Sequence, residues 1–326
     1  MSLAFLCGTE LLDGEARGTS AFHTQSPVMR YQFAKFASWA GVDVDALLHP
    51  ATGAPDTEPG ARARRVALPS AMLGIHDVLR VHGIRPSVLG GFGVGALTAG
   101  CLAGAVTREE LFTLLLGDLT DGADGGGEVA DDDGQGRSRA VVFLPRDHDP
   151  DWYAALDRRR VRVGVSLGTD PDRSYRVLLL NGDADALRAL AHEAPEGAVR
   201  LHGRGPAVLH SPLAAGARES AARRLDGLAF HDPATPVCSC LEPRTLTRAD
   251  EVRELFGRCA AEPADIGALV SGLVAHGTRL ALVLGPSLPR HVVDFPFPVV
   301  HVDAPERVED AIAALLHYGV GVPAAG

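Results

Sequence analysis

The chain has 326 residues, about twice the length of a typical domain and enough for one large α/β unit with a smaller unit inserted into it. Hydrophobic residues make up 46% and charged residues 22%, so neither intrinsic disorder nor a membrane protein fits the whole chain. The formal net charge of -10 argues against a general affinity for nucleic acid or for an anionic membrane surface.

The first residues predict a buried strand from Leu3 to Cys7, since no basic region precedes this apolar stretch and no small-residue cleavage site follows it. No apolar run reaches the ~18 residues of a membrane-spanning helix, so we expect a cytoplasmic protein. The five cysteines are scattered and lack CxxC spacing, which predicts neither a disulfide framework nor a metal site. We expect all five to be buried thiols: Cys7, Cys101, Cys238, Cys240 and Cys259.

Helices and short strands alternate along the first part of the chain. Apolar residues spaced at three and four predict helices over 28–48 and 67–83. A strand from Arg85 to Leu89 then runs into a glycine-rich turn over 90–95, and an Ala/Leu-rich helix follows from about Ala96. Residues 118–137, which are dominated by Asp, Glu and Gly, predict a flexible acidic loop.

The segment 139–205 predicts a small α+β unit, because it holds three short β-branched runs and one short helix. The larger unit is expected to comprise 1–138 and 206–326. Its second part predicts a helix near 213–226, a strand over 237–241, a helix over 262–276 and a buried strand that ends at Gly285.

The glycine-rich turn between a strand and a helix fits two mechanisms. A dinucleotide fingerprint fits poorly, because the spacing is GxGxG instead of GxGxxG and no acidic residue closes a second strand about twenty residues later. A nucleophile elbow, GxSxG, fits with one exception. The position that should carry the nucleophilic hydroxyl is Gly93.

Five short motifs follow one another along the chain: Leu6–Thr9, Gly91–Gly95, Val208–Leu213, Pro236–Cys240 and Val283–Pro286. In order and spacing they resemble the FPGQG loop, the GHSxG elbow, the histidine motif, the PVxSN strand and the terminal ExGP of the malonyl-CoA:acyl carrier protein transacylases and of polyketide synthase acyltransferase domains. The resemblance implies an α/β-hydrolase-like large domain with a parallel sheet, and a ferredoxin-like small subdomain over 139–205.

The resemblance also shows what this chain lacks. In the family, the elbow serine attacks an acyl thioester, the histidine takes its proton, and backbone amides stabilise the oxyanion. Here the serine is Gly93, the histidine before it is Phe92, the glutamine of the first loop is Thr9, and the arginine that pairs with the malonyl carboxylate is Leu116. We therefore expect no ordinary acyl transfer through residue 93 and no preference for a dicarboxylic acyl group.

His210 stands where the family has its catalytic histidine, and two interpretations stay open. It could activate a water for slow thioester hydrolysis. It could also be a relic that only holds local structure through a hydrogen bond to a carbonyl near residue 240, which the missing partner hydroxyl favours. Cys240 or Cys7 could replace the serine, but we favour buried thiols because a nucleophile on another loop would not face the same oxyanion hole.

The function that we expect from this combination is that of an acyltransferase homologue of polyketide or fatty-acid biosynthesis without its nucleophile. It would bind an acyl-CoA or acyl carrier protein thioester, or a synthase component, with no further cofactor and no metal. The substrate is expected to lie against Thr9, Phe92, Val94, Leu116 and Leu209. One alternative is an active acyl-thioester hydrolase or transacylase that uses His210 with water or with a displaced nucleophile. Another is an introduced glycine in place of a native serine.

Overall fold

The computed structural model of the chain describes residues 2–9, 17–50, 57–117, 137–202, 209–210 and 217–320. All of the predicted acidic loop over 118–137 except its last residue lies outside these ranges. The segments on either side of His210, 203–208 and 211–216, also lie outside them.

The described strands form a six-stranded and a five-stranded sheet. The strands are β1 (Ser2–Cys7), β2 (Val88–Gly91), β3 (Arg137–Pro145), β4 (Val161–Thr169), β5 (Tyr175–Asp183), β6 (Val199–His202), β7 (Val237–Cys238), β8 (Thr245–Leu246), β9 (Ala264–Asp265), β10 (Thr278–Leu284) and β11 (Val299–Val302).

The larger sheet has the order β11-β10-β1-β2-β7-β8, and each neighbouring pair is parallel except β7 and β8. Strands β1 and β10 lie inside the sheet, away from its edges, and are almost entirely buried, as expected for continuous apolar runs that are covered on both faces. This confirms the predicted parallel sheet. Because β1 and β2 are parallel neighbours, Thr9 and Gly93 leave the sheet at the same edge.

Helices cover the sheets. They are α1 (Arg17–Gln25), α2 (Pro27–Ala40), α3 (Val44–Leu48), α4 (Glu58–Val81), α5 (Val94–Leu102), α6 (Arg108–Leu116), α7 (Asp151–Ala154), α8 (Ala184–Glu193), α9 (Ala217–Leu225), α10 (Ala249–Cys259), α11 (Ile266–Ala275) and α12 (Arg307–His317). Within the ranges described, none of them is long and apolar enough to cross a bilayer.

Two of the predicted helices differ from those observed. The helix expected over 28–48 is α2 followed by α3, because Gly41 adopts a left-handed conformation with φ 65° and ends α2. The helix expected over 67–83 begins earlier, at Glu58, where the Thr57 hydroxyl accepts a hydrogen bond from the Gly60 N–H at 3.3 Å. The first turns of α4 are rich in arginine and lack the apolar spacing that marks a helix.

The smaller sheet has the order β6-β3-β5-β4-β9. Strands β3 to β6 and helix α8 give the strand order 4-1-3-2 of a ferredoxin-like subdomain, with antiparallel pairs throughout, so that prediction is confirmed. β9 comes from the second part of the larger unit and pairs with β4 in parallel, with Val165 opposite Ala264. The larger unit thus completes the smaller sheet.

Alternation along the strands decides which side chains of the smaller sheet reach the larger unit. Ala140, Val142 and Leu144 pack against α8, whereas Val141 on the opposite face joins the main core. The same period of two places Arg139 on the face of Val141. The functional site lies on this side of the sheet.

Candidate functional site

The glycine-rich turn has the backbone of a nucleophile elbow. β2 ends at Gly91, Gly93 has φ 58° and ψ −137°, and α5 begins at Val94. A Cβ atom at Gly95 would lie 2.0 Å from the Cys7 carbonyl oxygen, so only glycine permits this approach of α5 to β1. The chain has therefore kept the sharp strand-to-helix turn that presents a nucleophile in α/β hydrolases, without the nucleophile.

Thr9 occupies the space beside the turn. A Cβ atom built on Gly93 would lie 2.8 Å from the Thr9 Cβ and 2.9 Å from its Oγ1. Real Cβ atoms do not approach other carbons this closely, and the Thr9 Cβ is fixed by its own backbone. A side chain at residue 93 and the threonine at residue 9 therefore compete for one volume.

His210 is fully buried, and three hydrogen bonds hold it. Its backbone N–H donates to the Cys259 carbonyl at 2.7 Å. Its Nδ1 lies 2.8 Å from the Glu262 carbonyl oxygen, which only accepts, so Nδ1 carries the proton. Its Nε2 accepts the Gly93 N–H at 2.8 Å. The ring is thus neutral, and the backbone of the elbow occupies its one lone pair.

The carbonyl that orients His210 is not the one expected. The prediction of a carbonyl near residue 240 is wrong, because the Cys240 carbonyl accepts the Asp265 N–H at 2.8 Å and so helps to begin β9. The Glu262 carbonyl, just before that strand, takes its place. The smaller sheet adds a further contact, since Asn181 Nδ2 donates to the His210 carbonyl at 3.2 Å.

A cavity opens beside the elbow and His210. Most of its wall is apolar: Leu68, Pro69, Leu114, Leu115, Val165 and Leu179. Three arginines, Arg64 and Arg65 of α4 and Arg139 of β3, add positive charge to the same wall. A guanidinium is suited to carboxylate and phosphate oxygens, so this wall offers both apolar and cationic contacts to a ligand.

The cavity brings together most of the predicted site residues. Gly93, His210, Thr9, Val94 and Leu209 border it. The other two predicted site residues, Phe92 and Leu116, do not border it. Phe92 is buried in the main core, and its N–H donates to the Cys7 carbonyl at 3.1 Å. The Leu116 carbonyl accepts a hydrogen bond from Arg65 Nη1 at 2.9 Å.

The three arginines were not predicted from the sequence. Leu116 stands where the family motif has its arginine, so the sequence predicted a site without that cation. The fold instead supplies arginines from α4 and β3, which are distant from Leu116 in sequence. Only the alternation of β3, which puts Arg139 on the face of Val141, carried a local signal.

Two cysteines lie next to His210. One ligand atom each of His210, Cys240 and Cys259 lies within 4.8 Å of the other two, and all three residues are fully buried. A hydrogen bond with the Cys259 thiol, together with His210, outweighs burial and lowers the pKa of Cys240, whereas the same pairing and burial raise the pKa of Cys259. Neither cysteine borders the cavity, so neither is placed to attack a bound thioester.

Cys7, the other cysteine considered as a nucleophile, is inert. It is fully buried in β1, and burial raises the pKa of its thiol far above the ordinary value. Burial therefore disfavours the thiolate that would act as the nucleophile.

The sequence matches no protein-family model and no curated protein. Solved structures share its fold. The malonyl CoA-acyl carrier protein transacylase of Coxiella burnetii is 18% identical with a TM-score of 0.73, over 97% of this chain and 98% of that chain. The acyltransferase domain from the second module of the salinomycin polyketide synthase is 19% identical with a TM-score of 0.67, over 98% and 74%.

A third similar structure comes from a complex of a malonyl-transacylase with a type II polyketide synthase acyl carrier protein. It is 18% identical with a TM-score of 0.71, over 96% of this chain and 98% of that chain. At these identities the likeness is one of fold. The chain has the fold of the malonyl-CoA:acyl carrier protein transacylases and polyketide synthase acyltransferase domains, which confirms the resemblance drawn from the motifs.

Proposed function

We propose that the protein is a non-acylating acyltransferase homologue that binds acyl thioesters and serves as an auxiliary partner in polyketide or fatty-acid biosynthesis. One observation carries the proposal: the elbow keeps its backbone shape while Gly93 supplies no hydroxyl and Thr9 fills the space that a serine would need. An ester between substrate and residue 93 cannot form, because no atom is present to form it.

The state of His210 supports binding without turnover. A general base needs a free lone pair within reach of the proton that it takes. Here Nε2 accepts the Gly93 N–H, and Nδ1 is protonated and held by the Glu262 carbonyl. Hydrolysis by a His210-activated water would first have to break the hydrogen bond to Gly93, which argues against this alternative.

The wall of the cavity supports an acyl thioester as the ligand. Its leucines and valines suit an acyl chain or the aliphatic parts of a pantetheine arm, and its arginines suit the phosphates of coenzyme A or of phosphopantetheine. No further cofactor is part of the proposal. We propose an acyl carrier protein or a synthase component as the partner, because the similar malonyl-transacylase was solved with its carrier protein. The cytoplasm is the proposed location.

The test is incubation with radiolabelled malonyl-CoA and acetyl-CoA, followed by denaturation to detect covalent label and by calorimetry of the native mixture to detect binding. We expect reversible binding without label. Arg139→Ala should weaken binding of acyl-CoA by about tenfold, the effect of one charge-assisted contact. Covalent label on the unaltered protein, or absence of any binding, would contradict the proposal.

The hydrolase alternative has its own readout in the same experiment. Release of free acid that continues over many equivalents and is lost in His210→Ala would establish hydrolysis. We expect no release above the rate without protein. His76→Ala serves as the control, since His76 lies on α4 next to Asp77 and does not border the cavity.

A further inference from the structure

We infer that His210, Cys240 and Cys259 form a binding site for a thiolate-preferring metal ion, with zinc as the expected occupant. The residues come from three places in the chain: the segment after the smaller sheet, the turn after β7, and the last turn of α10. Their distances in sequence follow no zinc-binding motif, so only the fold brings them together. The inference does not depend on the proposed function.

The distances fit a metal ion. Three atoms that lie within 4.8 Å of one another share a central point no more than about 2.8 Å from each, and Zn–S and Zn–N bonds are about 2.3 and 2.0 Å. Side-chain movements of at most about 0.5 Å for the sulfur atoms and about 0.8 Å for the nitrogen would therefore bring each ligand atom to bonding distance.

The backbone of all three residues is already fixed. The Cys240 carbonyl accepts the Asp265 N–H, and the Cys259 carbonyl accepts the His210 N–H. Both His210 ring nitrogens have backbone partners. With Nε2 as the metal ligand, Nδ1 keeps its proton and its hydrogen bond to the Glu262 carbonyl, which orients the ring and is the usual support for a metal-binding histidine. The Gly93 N–H then gives up Nε2 as its acceptor.

The charges balance in this buried place. Zinc binding forms two Zn–S bonds and one Zn–N bond, and the two thiols release their protons to solvent. Two thiolates neutralise the divalent ion, so the fully buried site gains no net charge. Zinc with two cysteines and one histidine leaves one position for a water or another external ligand, and His210 is the member of the cluster that borders the cavity.

The experiment uses the full chain, reduced and freed of metal with a chelator. Titration with Co²⁺ should give the visible absorption of a tetrahedral ion and a thiolate charge-transfer band, with one equivalent bound, and Zn²⁺ should displace it. Cys240→Ser and Cys259→Ser should each weaken Zn²⁺ binding by about 100-fold or more. Cys238→Ser is the matched control, because it alters a buried thiol two residues away that is outside the cluster.

A second measurement on the unaltered protein keeps the test independent of how well the variants fold. Zinc should slow alkylation of Cys240 and Cys259, mapped by mass spectrometry, and leave the order of reaction of Cys7, Cys101 and Cys238 unchanged. Absence of stoichiometric Zn²⁺ and Co²⁺ binding would overturn the inference. Binding that persists unchanged in Cys240→Ser and Cys259→Ser, or protection of other cysteines instead, would overturn it equally.

Discussion

At residue 93 a hydrogen atom stands in place of a side chain, and the side chain of Thr9 lies in the adjoining space. The two positions are about eighty residues apart in sequence, yet the side chain of one determines what the other can carry. Restoring a serine at the elbow is therefore not a single substitution. Its Cβ would overlap with the Thr9 Cβ, and such overlap costs about 1–3 kcal/mol unless the threonine is removed.

The pair Thr9 and Gly93 gives the first prediction. Gly93→Ser alone should be labelled by malonyl-CoA about 100-fold more slowly than Thr9→Gly combined with Gly93→Ser, because the hydroxyl has room beside His210 only when the threonine is removed. The measurement is incorporation of radiolabel over time. Thr9→Gly with Gly93→Ala is the control and should stay unlabelled. Equal labelling of the single and the double serine variants would show that Thr9 does not obstruct the site.

A second prediction at this scale concerns Asn181. Its side chain donates to the buried carbonyl of His210, so Asn181→Ala leaves that carbonyl without this donor and should lower the free energy of unfolding by about 1–2 kcal/mol. Urea unfolding measures the change. Ser138→Ala, which removes a polar group from the same sheet, should cost less than half as much. Equal costs would mean that the hydrogen bond to His210 contributes nothing specific.

Among the elements, α4 and α6 are joined by an ion pair. Arg108 at the start of α6 donates two hydrogen bonds to Asp77 of α4, both at 2.7 Å. Burial raises the pKa of Asp77, but the hydrogen bonds from Arg108 and His76 outweigh it and lower the pKa from its usual 3.8 to about 2. The pair also compensates for a cation in the first turn of a helix, where the helix dipole disfavours it.

This ion pair predicts how stability depends on pH. Because the folded pKa of Asp77 is depressed, its contribution of about 2 kcal/mol is complete above about pH 5 and is lost as the pH falls towards 2. Asp77→Asn should therefore be less stable than the unaltered protein at pH 7, and the difference should shrink below pH 4. Urea midpoints of both proteins across this range measure it. A difference that stays constant with pH would refute the assignment.

The approach of α5 to β1 gives the prediction for the elbow helix. Gly95→Ala would place a Cβ 2.0 Å from the Cys7 carbonyl oxygen and should cost about 3 kcal/mol or more, because backbone on both sides must move. Gly104→Ala is the control: Gly104 has φ 86° but open space around it, so only the left-handed conformation is penalised, by about 1 kcal/mol. Thermal and urea unfolding compare the two. Similar costs would mean that the elbow can relax.

The elements also show what could be predicted from the sequence. The buried strands β1 and β10 and the strand-turn-helix at Gly93 have strong local patterns, and they were predicted correctly. The end of α2 depends on the left-handed conformation of Gly41, and the early start of α4 depends on the capping hydroxyl of Thr57. The spacing of apolar residues does not reveal either of these caps.

The site was only half predictable, for a different physical reason. Thr9, Gly93 and His210 belong to motifs, and the fold brings them together. The carbonyl of Glu262, the arginines of the cavity and the pairing of Cys240 with Cys259 arise from contacts between segments far apart in the chain. The spacing of residues along the sequence does not predict such contacts.

For the whole molecule, the strand β9 has a mechanical consequence. β9 belongs to the larger unit but forms the edge strand of the smaller sheet. The Glu262 carbonyl, which accepts the hydrogen bond from His210 Nδ1, lies two residues before β9. A movement that separates the two sheets would therefore also disturb the hydrogen bond that holds the His210 imidazole. Ligand binding that required the two sheets to separate would cost this strand pairing and the hydrogen bond to His210.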